Sequence, residues 1–240
     1  MINFLRSFGQ RAFRTINLPT VQSNLYSTGL PNDRKLPVLK LDGYTLRKVV
    51  KQDCEAIHHL VQELANCLNM PDAPQISAKG MLVSYHKPKL LKSRLKFYDY
   101  LITTDFSALE ADGFGSRRFY EGFVAESHKL KQVVGYAIYY FSYSTWQGKS
   151  LYMEDMYICP EDRKNRIAIS FFHLISQAAL AENCMRMNFC GLKDNKPAVE
   201  LFQSLGADNL TLKEGWHYYR IPRHGIEELA QPSIITKFNP

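Results

Sequence analysis

The side chains that most often announce metal or nucleophile chemistry are spaced here for neither. The five cysteines, Cys54, Cys67, Cys159, Cys184 and Cys190, are odd in number and hold no C-x-x-C pair. They read as buried free thiols of a reducing compartment. Of the seven histidines only His58 and His59 are neighbours, and adjacent side chains on a helix point about 100° apart. No metal-ligand set emerges. Neither a G-x-S-x-G elbow nor a Walker loop occurs, so serine-hydrolase and P-loop chemistry have no foothold. Asp112-Gly-Phe-Gly115 contains a lone G-x-G; without a strand before it and a helix after it, the pattern reads as a turn rather than a dinucleotide loop. Glu154 and Asp155 are adjacent carboxylates in a strand-like stretch, a placement that also suits a cap or a salt bridge at a strand bend.

The elements that must position any site follow from periodicity. Residues 44–50 alternate as a strand, and Asp53 stands as N-cap before a helix carrying Ile57, Leu60, Val61, Leu64 and Cys67, which Pro71 and Pro74 stop. Strands are expected at 120–125, 133–143 and 151–159, the last two joined by a turn at 144–148. Apolar residues at helical spacing (Ile167, Phe171, Phe172, Leu174, Ile175, Ala178, Ala179) predict a helix over 167–181. A strand at 185–190, a short helix at 197–204 closed by Gly206, and a last strand at 216–221 complete a mixed α/β domain over 43–222, with a tail over 223–240.

A chain of 240 residues, 45% apolar and 22% charged, suits one large domain with an appendage and excludes collagen-like, coiled-coil and wholly disordered classes. No run approaches the roughly 18 apolar residues of a spanning helix. Thirty Lys and Arg against 23 Asp and Glu give +7, which disfavours a polycationic partner and permits an anionic one; nucleic acid is not expected. The first acid is Asp33, and Arg6, Arg11 and Arg14 precede it. On a helical wheel Ile2, Leu5, Phe8, Ala12, Phe13 and Ile16 share a face about 140° wide. Residues 1–35 therefore read as a mitochondrial targeting segment; a basic arm on a cytoplasmic protein is the alternative. A second acid-free stretch holds Lys79, Lys87, Lys89, Lys92, Arg94 and Lys96. It is either a solvated insertion or a weak contact for an anionic surface.

Gly135-Tyr-Ala-Ile-Tyr-Tyr-Phe141, Tyr152-Met-Glu-Asp155, the helix that follows, Asn195-Lys-Pro197, Leu205-Gly-Ala207, Glu214-Gly-Trp216 and Tyr219-Arg-Ile221 together resemble the GNAT acyltransferases, specifically the diamine (spermidine/spermine) acetyltransferase branch. The likeness spans about residues 44–221, with about 78–101 as an insertion. It implies a GNAT fold: a mostly antiparallel sheet, helices on both faces, splayed between the strands at 151–159 and 185–190. Acetyl-CoA would lie in the gap as co-substrate, and a homodimer is common. An amine of pKa near 10 is protonated at neutral pH, so a carboxylate must relay its proton before it can attack a thioester. The resemblance gives that part to Glu154, and acceptor contacts to Asp155, Glu214 and Trp146. It places the main chain of Met156, Tyr157 and Ile158 beside the thioester, and Arg163, Lys164, Arg166, Ile167, Ala168 and Ile169 around the pyrophosphate. Asn195, Pro197 and Phe202 complete the cofactor contacts.

Three departures matter. The family's phosphate loop carries glycines at its second and fourth positions, where this chain has Lys164 and Arg166; a glycine there lets backbone approach phosphate without a Cβ in the way. Phe202 stands where a tyrosine normally protonates the leaving thiolate, and a phenyl ring has no proton to give. Leu68 and Ser144 occupy positions that are acidic in the polyamine enzymes, so polyamine specificity does not carry over. Two functions follow: an acetyl-CoA-dependent N-acetyltransferase of a small amine, or a GNAT-derived binding or regulatory protein with impaired catalysis.

Overall fold

The structure, a computed structural model, describes residues 38–70 and 106–237. The chain divides into two units, Met1–Pro37 and Val38–Pro240, and the described residues belong to the second. The expected targeting segment and basic insertion lie outside the described residues.

Among the described residues six strands form one sheet in sequence order: β1 (Leu39–Leu41), β2 (Tyr44–Lys48), β3 (Glu121–Ser127), β4 (Gln132–Ser144), β5 (Gly148–Ile158) and β6 (Met187–Phe189). Every neighbouring pair is antiparallel except β5 with β6. β1 went unread in the sequence, although Asp42-Gly43 is a two-residue hairpin signal, with Gly43 at φ +78°. The β4–β5 turn is held by Ser144, whose Oγ accepts the amides of Trp146 and Gln147 at 3.3 Å each.

Helices cover both faces. On one, α1 (Cys54–Cys67) buries Ile57 and Leu60 against Val49, Val124, Tyr136 and Tyr157, with α2 (Ser107–Phe114) beside it. On the other, α3 (Ile167–Ala181) buries the apolar set its periodicity predicts, over the predicted bounds. Strand alternation turns Leu46, Phe123, Ala137, Tyr139 and Leu151, all buried, towards α3. Leu46, Phe123 and Leu151 each contribute on the order of 1.5–3 kcal/mol by leaving water. The connection from β5 through α3 to β6 is parallel, as a crossover helix allows. Beyond it lie α4 (Lys196–Ser204), α5 (Leu210–Glu214), α6 (Arg223–Leu229) and α7 (Ser233–Lys237); the last two form within the expected tail.

Asp53 is the N-cap residue of α1, as expected, but its carboxylate turns back to the 3-10 turn (Lys51–Asp53), where it takes the Val50 amide at 2.8 Å and Arg47 at 2.7 and 2.9 Å. Three expectations are corrected. Asp112-Gly-Phe-Gly115 is the end of α2 rather than a free turn. Gly113 is needed there because a Cβ would lie 2.6 Å from the Tyr120 ring. Residues 216–221 form no strand, since no partner edge meets them among the described residues. All five thiols are free, but only Cys54 is buried; Cys67 and Cys190 are exposed because each sits where the chain leaves its element.

Candidate functional site

β5 carries a bulge at its middle. Ile138 faces Asp155 and Tyr139 faces Met153, so Glu154 is an extra residue without a partner on β4. A bulge re-aims side chains and bends its strand. On the opposite edge, β6 pairs with β5 only over Leu151–Met153, and the two strands part at the same residue. The predicted splay is thus present, and Glu154, exposed, stands at its mouth.

Beyond Glu154 the free edge of β5 offers main-chain groups. The Cys159 amide donates to Val134 O at 2.9 Å, so by antiparallel alternation the N–H and C=O groups of Met156 and Ile158 point away from β4. The Ile158 carbonyl accepts Arg163 Nε at 3.0 Å, and the Arg163 guanidinium lies 5.7 Å from the centre of the Tyr157 ring. Arg163 therefore braces the loop to the strand. Tyr157 itself belongs to the core on the α1 side.

The loop then turns through two left-handed residues, Lys164 at φ +68° and Arg166 at φ +63°. These are the glycine positions of the resemblance, and the glycine-like backbone is present without glycine. A side chain in that conformation costs about 1–2 kcal/mol. Both cations are exposed, and neither forms a salt bridge among the described residues. The first intrahelical bond of α3 runs from Ser170 N to Arg166 O at 3.0 Å, leaving the Ile167, Ala168 and Ile169 amides without helical acceptors. Such amides, at the positive end of the helix dipole, make a site for phosphate. The loop is not folded inward over the helix start.

Around Glu154 the sheet gathers aromatic rings that the sequence reading missed. Tyr140 and Tyr152 face each other across β4 and β5 and stack with centroids 5.2 Å apart. Tyr152 Oη and Cys190 Sγ are 3.0 Å apart. Burial first, and then the charge of Glu154 and the proximity of Tyr218, raise the Tyr140 phenol above its ordinary value. Tyr152 is raised further, by burial and then by Cys190. Both stay protonated at neutral pH. Counting back from the β4–β5 turn pairs Tyr140 with Tyr152, a signal that was available. Asp155 accepts the hydroxyl of fully buried Tyr136 at 2.6 Å; burial raises its carboxyl, while Tyr136 and the Met156 amide pull the other way.

The remaining expected residues scatter. Trp146, 83% exposed, sits at the tip of the β4–β5 hairpin, about 20 Å along the strand from Glu154 at roughly 3.3 Å per residue. It is a turn residue, not a wall of this gap. Glu214 ends α5, where its Oε2 accepts Trp216 Nε1 at 2.9 Å. Asn195 caps α4 through Oδ1 to the Ala198 amide at 3.4 Å, with Pro197 in the first turn. Phe202 packs with Phe189 and Phe172, at centroid distances of 4.8 and 6.2 Å, and ties α4 to β6 and α3.

Residues 89–207 match the family described as Acetyltransferase (GNAT) family. The chain is 34% identical over 191 residues to the thialysine N-epsilon-acetyltransferase of Bos taurus, covering 77% of this chain and 96% of that one. The chain belongs to the GNAT acetyltransferase family. Within GNAT, it is also 29% identical over 195 residues to the human spermidine/spermine N(1)-acetyltransferase-like protein 1, covering 79% of this chain and 24% of that longer protein. These relatives place it in the diamine acetyltransferase branch. An aminoglycoside N-acetyltransferase AAC(6')-Iy solved in complex with CoA shares the fold, with TM-score 0.50 and 16% identity over 74% of this chain and 94% of the other. The open β5–β6 edge and the left-handed loop therefore lie within a GNAT domain. Among the described residues no helix is long and apolar enough to cross a membrane, and no cluster of three or more His, Cys, Asp or Glu is placed to hold a metal.

Proposed function

We propose that this protein transfers the acetyl group of acetyl-CoA to the nitrogen of a small amine, with Glu154 relaying the amine's proton. The carrying observation is the bulge that sets Glu154 where β5 and β6 part. The acceptor arrives as an ammonium and must lose a proton to attack. Glu154 is exposed enough to pass that proton to water. The nitrogen then attacks the thioester carbon, and main-chain donors near Met156, on the free edge of β5, face the developing oxyanion. Collapse breaks the C–S bond, and the thiolate takes a proton from water or from Tyr218. Amides at the start of α3, with Lys164 and Arg166 above them, hold the pyrophosphate.

The acceptor class is narrower than a polyamine. Tyr140, Tyr152 and Tyr218 lie around Glu154, while Ser144 is buried in the turn and Leu68 follows α1. Ring faces bind one cation but do not repeat carboxylates along a polycation. Calorimetric titration with acetyl-CoA, followed by transfer assays on thialysine, short diamines and spermidine, tests this reading. Binding in the micromolar range and preferential transfer to a short amine are expected; no heat at millimolar acetyl-CoA would remove the enzyme.

One observation favours the impaired-catalysis reading: Phe202 is packed into a ring cluster and donates no proton. Tight acetyl-CoA binding without transfer to any amine would establish it. The amphipathic spacing of residues 1–35 and their lack of any acid before Asp33 support import into mitochondria, tested by fusing them to a reporter. Trp216, Tyr218, Tyr219 and Ile221 are each more than half exposed, which supports a homodimer burying them, tested by sedimentation.

A further inference from the structure

Lys164 and Arg166 hold a left-handed backbone that costs a side chain other than glycine's, and their own side chains form no salt bridge among the described residues. Something else must keep the loop there. Asn165 lies between them. Its Nδ2 donates to Tyr44 Oη at 2.8 Å and to the Asp162 carbonyl at 3.2 Å. Tyr44 Oη in turn donates to Asp162 Oδ1 at 2.7 Å. Asp162, 8% exposed, closes the short 3-10 turn (Pro160–Asp162) that leads into the loop. A single phenol at the start of β2 thus ties the turn that leads into the left-handed stretch to the residue at its middle, across 118 and 121 residues of sequence.

We propose that Tyr44 is a positioning residue for acetyl-CoA: its hydroxyl, through Asp162 and Asn165, holds Lys164 and Arg166 left-handed so that the first amides of α3 stay turned towards the phosphates. The chain thereby replaces the conformational freedom of two glycines with a hydrogen-bonded tether from another strand. Tyr44 touches no substrate atom. It acts through the loop, and this inference rests on the acetyl-CoA reading above. The tyrosine also suits the task chemically, because one hydroxyl can donate to a carboxylate and accept from an amide at once. Its phenol is raised above the ordinary value by the bond to Asp162 first, then by burial, so it keeps its proton and the tether holds at neutral and mildly alkaline pH.

The full chain is titrated with acetyl-CoA by calorimetry in two backgrounds, the native loop and the double variant Lys164→Gly with Arg166→Gly. In the native loop, Tyr44→Phe should weaken binding about 10-fold, the effect of one hydrogen bond to a charged group. In the glycine loop the same substitution should weaken it less than about 2-fold, because glycine needs no tether to occupy positive φ. The KM for the amine should not change. Equal losses in both backgrounds, or no loss in either, would overturn the proposal, since a merely structural tyrosine would not care which loop it faces. If Tyr44→Phe melts the fold, Asn165→Ala on the exposed loop replaces it and should show the same loop-dependent loss. Failure of the unmodified protein to bind acetyl-CoA would instead sink the functional reading on which this one rests.

Discussion

Fully buried Tyr136 donates its hydroxyl to Asp155 at 2.6 Å, directly beside the bulged Glu154. Desolvation nonetheless leaves the Asp155 carboxyl above its ordinary value. The folded state thus holds that proton more tightly than the unfolded chain. Stability from this group is complete below the unfolded carboxyl value near pH 4 and is lost as pH rises through the raised folded value. Asp155→Asn cannot ionise and still accepts from Tyr136. It should melt a few degrees above the parent at pH 7, with the gap closing towards pH 4. A gap that stays constant from pH 4 to pH 7 in thermal melts would show that Asp155 is not desolvated.

Glu154→Gln should lower kcat by about 10² to 10⁴, the usual worth of a positioned proton acceptor, while the calorimetric Kd for acetyl-CoA stays within about 2-fold. Its deficit should shrink as the assay pH approaches that of the free amine's pKa, because the acceptor then arrives already deprotonated. A deficit independent of pH would assign Glu154 to packing.

Phe202→Tyr places a hydroxyl where the proposed mechanism calls for the thiolate's acid, on a ring already held by Phe172 and Phe189. kcat should rise about 10-fold, less than the full 10² or more of general-acid catalysis because a thiolate already leaves readily. KM should be unchanged. Steady-state kinetics reading an unaltered kcat would mean that thiolate protonation never limits turnover.

Arg166 combines an exposed charge with a left-handed backbone, and two substitutions separate them. Arg166→Ala removes the charge and keeps the strain; acetyl-CoA binding should weaken about 3- to 10-fold and depend less on salt, as for loss of a phosphate-facing cation. Arg166→Gly should lose the same affinity yet be more stable than the alanine variant by about 1 kcal/mol. Equal melting temperatures for the two would show that φ at this position relaxes freely.

Much of the framework was legible because it is local. The 3.6-residue repeat from Ile167 to Ala179 marks the span of α3, and the turn expected at 144–148 joins β4 to β5. The short helix expected at 197–204 forms as α4, and the structure shows Asn195 capping it. Asp112–Gly115 is helix rather than turn because Gly113 serves close packing against Tyr120, a role that glycine in a local pattern does not reveal. The 216–221 reading failed because alternation records only the capacity to form a strand, while the ladder needs a partner edge that this stretch does not meet.

By itself the amino-acid order determined the elements, the faces they bury and the family motif around Glu154, since each depends on neighbours a few residues apart. Only the tertiary structure decided that Glu154 is the unpaired residue of β5, that the sheet parts there, and that Lys164 and Arg166 adopt a glycine-like backbone. Bulges and left-handed non-glycine residues carry a local cost, and that cost is offset by groups distant in sequence: the β4 register for the first, the Tyr44 hydroxyl for the second.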